Sequence, residues 1–314
     1  MSIPSVLVPL YTYPTLNAWA PLTSCAAQNP SVSFTVVINP DDGPGASNIP
    51  NDDYVASISD LNTNENIKLL GYITTAYGSH ALADCLGEVA TYANWASYTQ
   101  ADIHIDGIFF DQTPSQYSET HYQYLSNLSS SAKATFVESP SLETFNPGTN
   151  SDSQLWPLSD DINSIETGDI GYAYTLLNNI PPSERLKQSA IINNYSGSAV
   201  DQEILLKNFV AAGIGGIFIT TAPPGYHTFS HLWTDFCTSL ANLTGDASRP
   251  AAATTTSPSA RTTSAPRPAS GSHSGTTTSA VAKTTATNSA TVFFRTRPSL
   301  YTCIYFIMYL AAVI

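Results

Sequence analysis

Residues 1–246 are predicted to form an α/β domain, a (β/α)8 TIM-like barrel, followed by a disordered Ser/Thr-rich tail. Three observations predict it. Eight runs of β-branched and apolar residues recur along this stretch, several are apolar almost without interruption, and segments of helical spacing separate them. Uninterrupted apolar runs mark strands covered on both faces, and such an alternation over ~250 residues has the size of a closed barrel. A doubly wound open sheet is the alternative topology.

In chain order the strands begin at Val6 (VLVPLYTYP), Phe34 (FTVVINP), Lys68 (KLLGYITTAYG), Ile105 (IDGIFFDQTP), Ala134 (ATFV), Asp161 (DINSIE), Gln188 (QSAIINNY) and Ile214 (IGGIFITT). The spacing between them predicts helices over 52–61, 81–98, 117–130 and 200–212. In a closed barrel the first and last helices are neighbours, so Cys25 with Cys237 is the first disulfide to test.

Residues 247–292 read as a Ser/Thr/Pro/Ala-rich disordered stalk, because such a composition buries too little apolar surface to offset chain entropy. Residues 293–314 form a hydrophobic C-terminal tail. Its apolar run from Tyr301 to Ile314 is short of the ~20 residues of a membrane span, and with Asn288, Ser289 and Ala290 upstream it fits a cleavable glycosylphosphatidylinositol signal or a short anchor to membrane or wall. An extracellular or cell-surface location is therefore expected. No signal peptide is visible, since Met1 leads almost directly into the first strand. Sequons at Asn127, Asn194 and Asn242 would accept N-glycans after export.

The chain carries 24 acidic and 11 basic residues, a net charge of −13. All the acidic residues and five of the basic ones lie in residues 1–246, which therefore hold −19. A domain so acidic repels phosphate, which excludes a nucleic-acid partner and favours a neutral or cationic one. No phosphate loop, nucleophile elbow, CxxC pair or dinucleotide fingerprint occurs, and no cofactor is expected. His227 and His231 have helical i, i+4 spacing without a third ligand, so no metal is expected either.

In a barrel of this kind the working residues sit where strands end. Here the ends carry Tyr11, Tyr13, Asn39, Tyr77, Asp111, Asn146, Glu166 and Asn193, with Tyr72 just before an end and Tyr172 just after one. Asp111 and Glu166 lie on strands two places apart, within reach of one another. Paired carboxylates at such a distance cut glycosidic bonds, one donating a proton and the other attacking or activating water. Tyrosines and asparagines around them suit the faces and hydroxyls of sugar rings.

Taken together, VLVPLYTYP with Trp19, INPDDGPG with Asp53 and Tyr54, GYITTAYG, YANW, DGIFFDQ, NPGT at 146–149 and the IE of Glu166 resemble the spherulin-4 family, spherulation-specific family 4, which is related to glycoside hydrolase family 135. The resemblance runs over about residues 5–240. It implies endo-cleavage of α-1,4-linked N-acetylgalactosamine in galactosaminogalactan, a fungal polysaccharide that is cationic when partly deacetylated.

The family's acidic pair falls on Asp111 and Gln112 and its later glutamate on Glu166, so this chain carries Gln where the family has Glu. An amide cannot exchange a proton in that role. The leading assignment makes Asp111 the nucleophile or base and Glu166 the proton donor, with the reverse left open. Between Val137 and Asn146 the chain carries ESPSLETF, read as an inserted loop or an unspliced intron, which makes Glu138 and Glu143 poor catalytic candidates. The competing reading is a polysaccharide-binding or cell-wall structural protein that has lost turnover through Gln112.

Overall fold

The computed structural model describes residues 3–15, 17–136 and 141–245. Glu138 and the predicted stalk and tail lie outside them. The strands are β1 (Val6–Leu10), β2 (Phe34–Ile38), β3 (Ile67–Thr74), β4 (Gly107–Asp111), β5 (Leu142–Asn146), β6 (Asp161–Thr167), β7 (Gln188–Ile192) and β8 (Gly216–Ile219). They pair in parallel in sequence order. The ring closes at Ser5, whose N–H donates to Gly215 O at 2.8 Å and whose carbonyl accepts from Ile217 N at 2.9 Å. The fold is thus the predicted (β/α)8 barrel.

The helices are α1 (Ala20–Gln28), α2 (Asp52–Asn62), α3 (Leu82–Asn94), α4 (Glu119–Thr135), α5 (Ile170–Asn179), α6 (Ala199–Ala212) and α7 (Trp233–Thr244). Side-chain caps start several of them: Asn51 for α2, Ser118 for α4, Asp169 for α5, and for α6 a capping box in which Ser198 and Asp201 satisfy each other's backbone N–H. Every residue of β1, β2 and β7 is buried, as continuous apolar runs require. At Gly71 of β3 a Cβ would stand 2.5 Å from the Tyr92 ring, so the absent side chain is what lets α3 pack against the strand.

Cys25 of α1 and Cys237 of α7 form a disulfide with Cα atoms 5.6 Å apart, as barrel closure suggested. Two expectations are corrected. The run at Ala134 is not the fifth strand, because α4 continues through Thr135. That strand is instead LETFN, drawn from the segment read as an insertion, and it delivers Asn146 to the barrel's end. His227 and His231 lie in the loop between β8 and α7 rather than on a helix. Among the described residues no His/Cys/Asp/Glu group could hold a metal ion, and no helix is long and apolar enough to cross a membrane.

One position in the outer ring lacks an α-helix. Between β5 and β6 the chain makes only a 3-10 stretch, Ser153–Leu158.

Candidate active site

Register places Thr74, Asp111 and Asn146 side by side at the C-terminal ends of β3, β4 and β5. The β5–β6 ladder is short, with Phe145 opposite Ile162 as its last pair. One step further along, Asn163 Nδ2 donates to Asn146 Oδ1 at 2.9 Å. Asn163 and Glu166 are three apart, and in a regular strand they would face opposite sides. The β6–β7 register shifts between Asn163 and Ile165. This bulge turns Glu166 to the same side as Asn163.

Asn146 is the hub. Its Nδ2 donates to Asp111 Oδ1 at 2.7 Å and to Glu166 Oε2 at 3.0 Å. Its Oδ1 accepts from Asn163 and from Gly148 N–H at 2.9 Å, which fixes the amide's orientation. Gly148 adopts φ +66° to make that turn, and its carbonyl accepts from Glu166 N at 3.1 Å. Because one nitrogen reaches both carboxylates, the two oxygens it contacts stand less than ~6 Å apart, close enough to act on one glycosidic bond.

Each carboxylate also receives a phenol. Tyr72 OH donates to Asp111 Oδ2 at 2.8 Å, and Tyr226 OH to Glu166 Oε1 at 2.5 Å. Asn193 Nδ2 donates in turn to the Tyr226 oxygen at 3.2 Å. Tyr11 stands between the two phenols, its ring edge-on to Tyr72 and to Tyr226 at 5.6 and 6.0 Å. Burial, and then the charge of Glu166, push Asp111 up to about 6 against the pull of its hydrogen bonds from Tyr72, Gln112 and Asn146. Burial and the same charge raise Tyr226 well above the ordinary phenol value, so it stays a donor.

Gln112 adjoins this pair in a left-handed conformation, φ +52°. Its carbonyl accepts from Tyr77 N and from Thr75 Oγ1, both at 2.7 Å, and its side-chain oxygen from Thr74 Oγ1 at 3.2 Å. The loop after β3 thus holds the Gln112 backbone, and Thr74 at the end of that strand holds the substituted side chain.

Of the other predicted residues, Tyr11, Tyr72, Asn146 and Asn193 join the carboxylates. Tyr77, in the turn after β3, and Tyr172, in the first turn of α5, are exposed at the same barrel end. Tyr13 instead donates to Asp53 Oδ2 at 2.8 Å, tying the β1 loop to α2. Asn39 uses its side-chain oxygen to accept Gly43 N at 3.0 Å, a turn contact. Sequence reading missed Tyr226 and Asn163. Asn163 could have been found as a polar residue within a buried strand, whereas nothing in the turn PPGYH marks Tyr226.

The model of spherulation-specific family 4 matches residues 5–240. The chain is 31% identical to spherulin-4 of Physarum polycephalum over 157 residues, which is 50% of this chain and 43% of that protein. It thus matches less than half the length of this relative. The crystal structure of Aspergillus clavatus Sph3 in complex with GalNAc superposes with a TM-score of 0.71 at 33% identity, over 76% of this chain and 97% of that one. The family match spans β1 to α7 and every residue of the site, and the chain belongs to spherulation-specific family 4.

Proposed function

We propose that the barrel is an extracellular glycoside hydrolase acting on an amino-sugar polysaccharide, with galactosaminogalactan as its substrate. The observation that carries this reading is the Asp111–Glu166 pair, two carboxylates bridged by one asparagine at the C-terminal end of the barrel. The GalNAc complex of the related Sph3 supports the sugar class. The charge of −19 on residues 1–246 would draw in a polycation at low ionic strength. The disulfide suits an oxidising compartment, and residues 247–314 would serve as stalk and anchor.

In the mechanism Asp111 donates its proton to the leaving oxygen, since its raised titration keeps it protonated in mildly acidic medium. Glu166 attacks the anomeric carbon. Tyr226, Asn146 and Asn163 fix both of its oxygens, which holds the carboxylate in place for that attack. After departure of the first product, Asp111 takes a proton from a water whose oxygen bonds to the anomeric carbon, breaking that carbon's bond to Glu166 and releasing the second product with Glu166 again a carboxylate. This reverses the roles first expected for the two residues. Gln112 has no proton to exchange and is not required by it.

The test is to incubate the full chain with galactosaminogalactan and count new reducing ends, beside Asp111→Asn, Glu166→Gln and Gln112→Glu. Turnover that both carboxylate replacements abolish supports the hydrolase. Binding without turnover, with cleavage gained in Gln112→Glu, would instead make this a binding protein.

A further inference from the structure

The missing helix between β5 and β6 leaves an open flank on the barrel. A groove of about 420 Å³ lies there, within the size range of small-ligand pockets. Ser153, Trp156 and Pro157 of the 3-10 stretch form one wall, and Pro181, Glu184 and Lys187 of the α5–β7 loop the other. The groove adjoins the start of β7, whereas Asp111 and Glu166 sit at the opposite ends of their strands.

Both walls are held by the fold. Trp156 Nε1 donates to Ser151 O at 3.1 Å, which sets the indole's orientation. Asp152, at the head of the 3-10 stretch, accepts Tyr117 N at 2.7 Å through Oδ2 and donates its own N–H to Ser115 O at 2.8 Å. Across the groove, Arg185 donates to Ile180 O at 3.0 Å and to Ala212 O at 3.3 Å, pinning the loop. A preformed groove loses little conformational entropy on binding.

Trp156 differs from the chain's other three tryptophans. Trp19, Trp95 and Trp233 are 4%, 0% and 5% exposed, whereas Trp156 is only half-buried and faces the groove. Indole and proline supply flat apolar surface for the C–H face of a pyranose, and the serine, carboxylate and ammonium groups beside them match ring hydroxyls and an amine.

We propose that this groove is a second carbohydrate site, holding an amino-sugar oligosaccharide against Trp156 with its polar groups toward Glu184 and Lys187. The sugar class rests on the function proposed above; the site itself does not depend on catalysis.

The test uses the full chain carrying Glu166→Gln, titrated with a partly deacetylated α-1,4-linked galactosamine tetramer by calorimetry and by tryptophan emission. Two sites per chain and a change in emission are expected. Adding Trp156→Phe should remove the emission change and one site, and Lys187→Ala should weaken that site about tenfold while keeping the indole. Should Trp156→Phe misfold, by its melting curve, Lys187→Ala decides. A single site with unaltered emission, two sites surviving both replacements, or no binding would overturn the proposal. If the unsubstituted chain cleaves nothing yet the Trp156-dependent site titrates, the groove stands and the hydrolase reading falls. If it cleaves the polymer and only one site titrates, the hydrolase stands and the groove falls.

Discussion

Tyr226, in the loop after β8, stands 60 residues along the chain from Glu166 of β6, yet the tyrosine hydroxyl lies 2.5 Å from Glu166 Oε1. Tyr226 reaches this position from a loop and with a left-handed backbone, φ +46°, a conformation unusual for a bulky residue. Its ring is buried against Tyr11, and Asn193 holds its oxygen. Strain of this kind persists only where surrounding contacts enforce it.

Replacing Tyr226 with Phe keeps the ring and removes the donor. We expect kcat to fall about 10- to 100-fold with KM little changed, because Glu166 loses a fixed hydrogen bond while substrate contacts remain. Stability should fall by about 1–3 kcal/mol, as Glu166 Oε1 and Asn193 Nδ2 each lose a buried partner. Steady-state kinetics beside urea unfolding check both, and an unchanged kcat would remove Tyr226 from the machinery.

The division of roles between the carboxylates has a stereochemical readout. With an α-linked substrate, azide added to Glu166→Ala should restore turnover and yield a β-glycosyl azide, because azide enters on the face that Glu166 vacates. Azide with Asp111→Ala should give the α-azide from the intact glycosyl-enzyme. Product analysis by NMR decides, and the two anomers exchanged would return the nucleophile's role to Asp111.

Stability should decline with rising pH. Burial pushes Glu143 and Asp161 up to about 7 and Asp111 up to about 6, and each is therefore held more firmly as the neutral acid in the folded chain. A carboxyl raised in this way contributes stability that is complete below its unfolded pKa and disappears as pH climbs through the folded value. The window thus runs from about pH 4 to about pH 7. Glu143 is fully buried on β5, with Lys133 Nζ of α4 3.6 Å away and the Asp160 carboxylate nearby raising it further. Melting temperature followed from pH 4 to pH 8 should drop, and Glu143→Gln should flatten the slope; a flat profile in the unsubstituted chain would refute the assignment.

Removing the Cys25–Cys237 bridge by Cys25→Ser with Cys237→Ser should cost about 2–5 kcal/mol. Denaturant unfolding with and without reductant measures it, and reductant should have no effect on the double variant. Cys85, buried on α3 beside the Tyr124 hydroxyl, should stay unreactive to thiol reagents until the chain unfolds.

Much of this site was legible because barrel strands deliver their last residues to one end. That rule alone brought forward Asp111, Asn146, Glu166, Asn193 and Tyr11. It failed where geometry departs from regular period. A bulge decides which way Glu166 faces relative to Asn163, and no side-chain pattern in DINSIE marks it. Tyr226 comes from a loop, where neither helical nor strand spacing applies. The fifth strand was misplaced because ATFV has strong β-formers, whereas tertiary packing extends α4 through Thr135 and gives the polar-looking LETFN to the sheet. Glu143 inside that strand is the cost of the choice, a carboxyl sealed beneath a helix.

The bridge between α1 and α7 also changes what a protease can accomplish. Residues 25–237 form one covalent ring that contains β2 through β8. A single cut in any loop of that ring opens it without releasing a fragment, and β1, just outside, remains laced to β2 and, through Ser5, to the edge of β8. A nicked molecule therefore keeps its two carboxylates on one connected body.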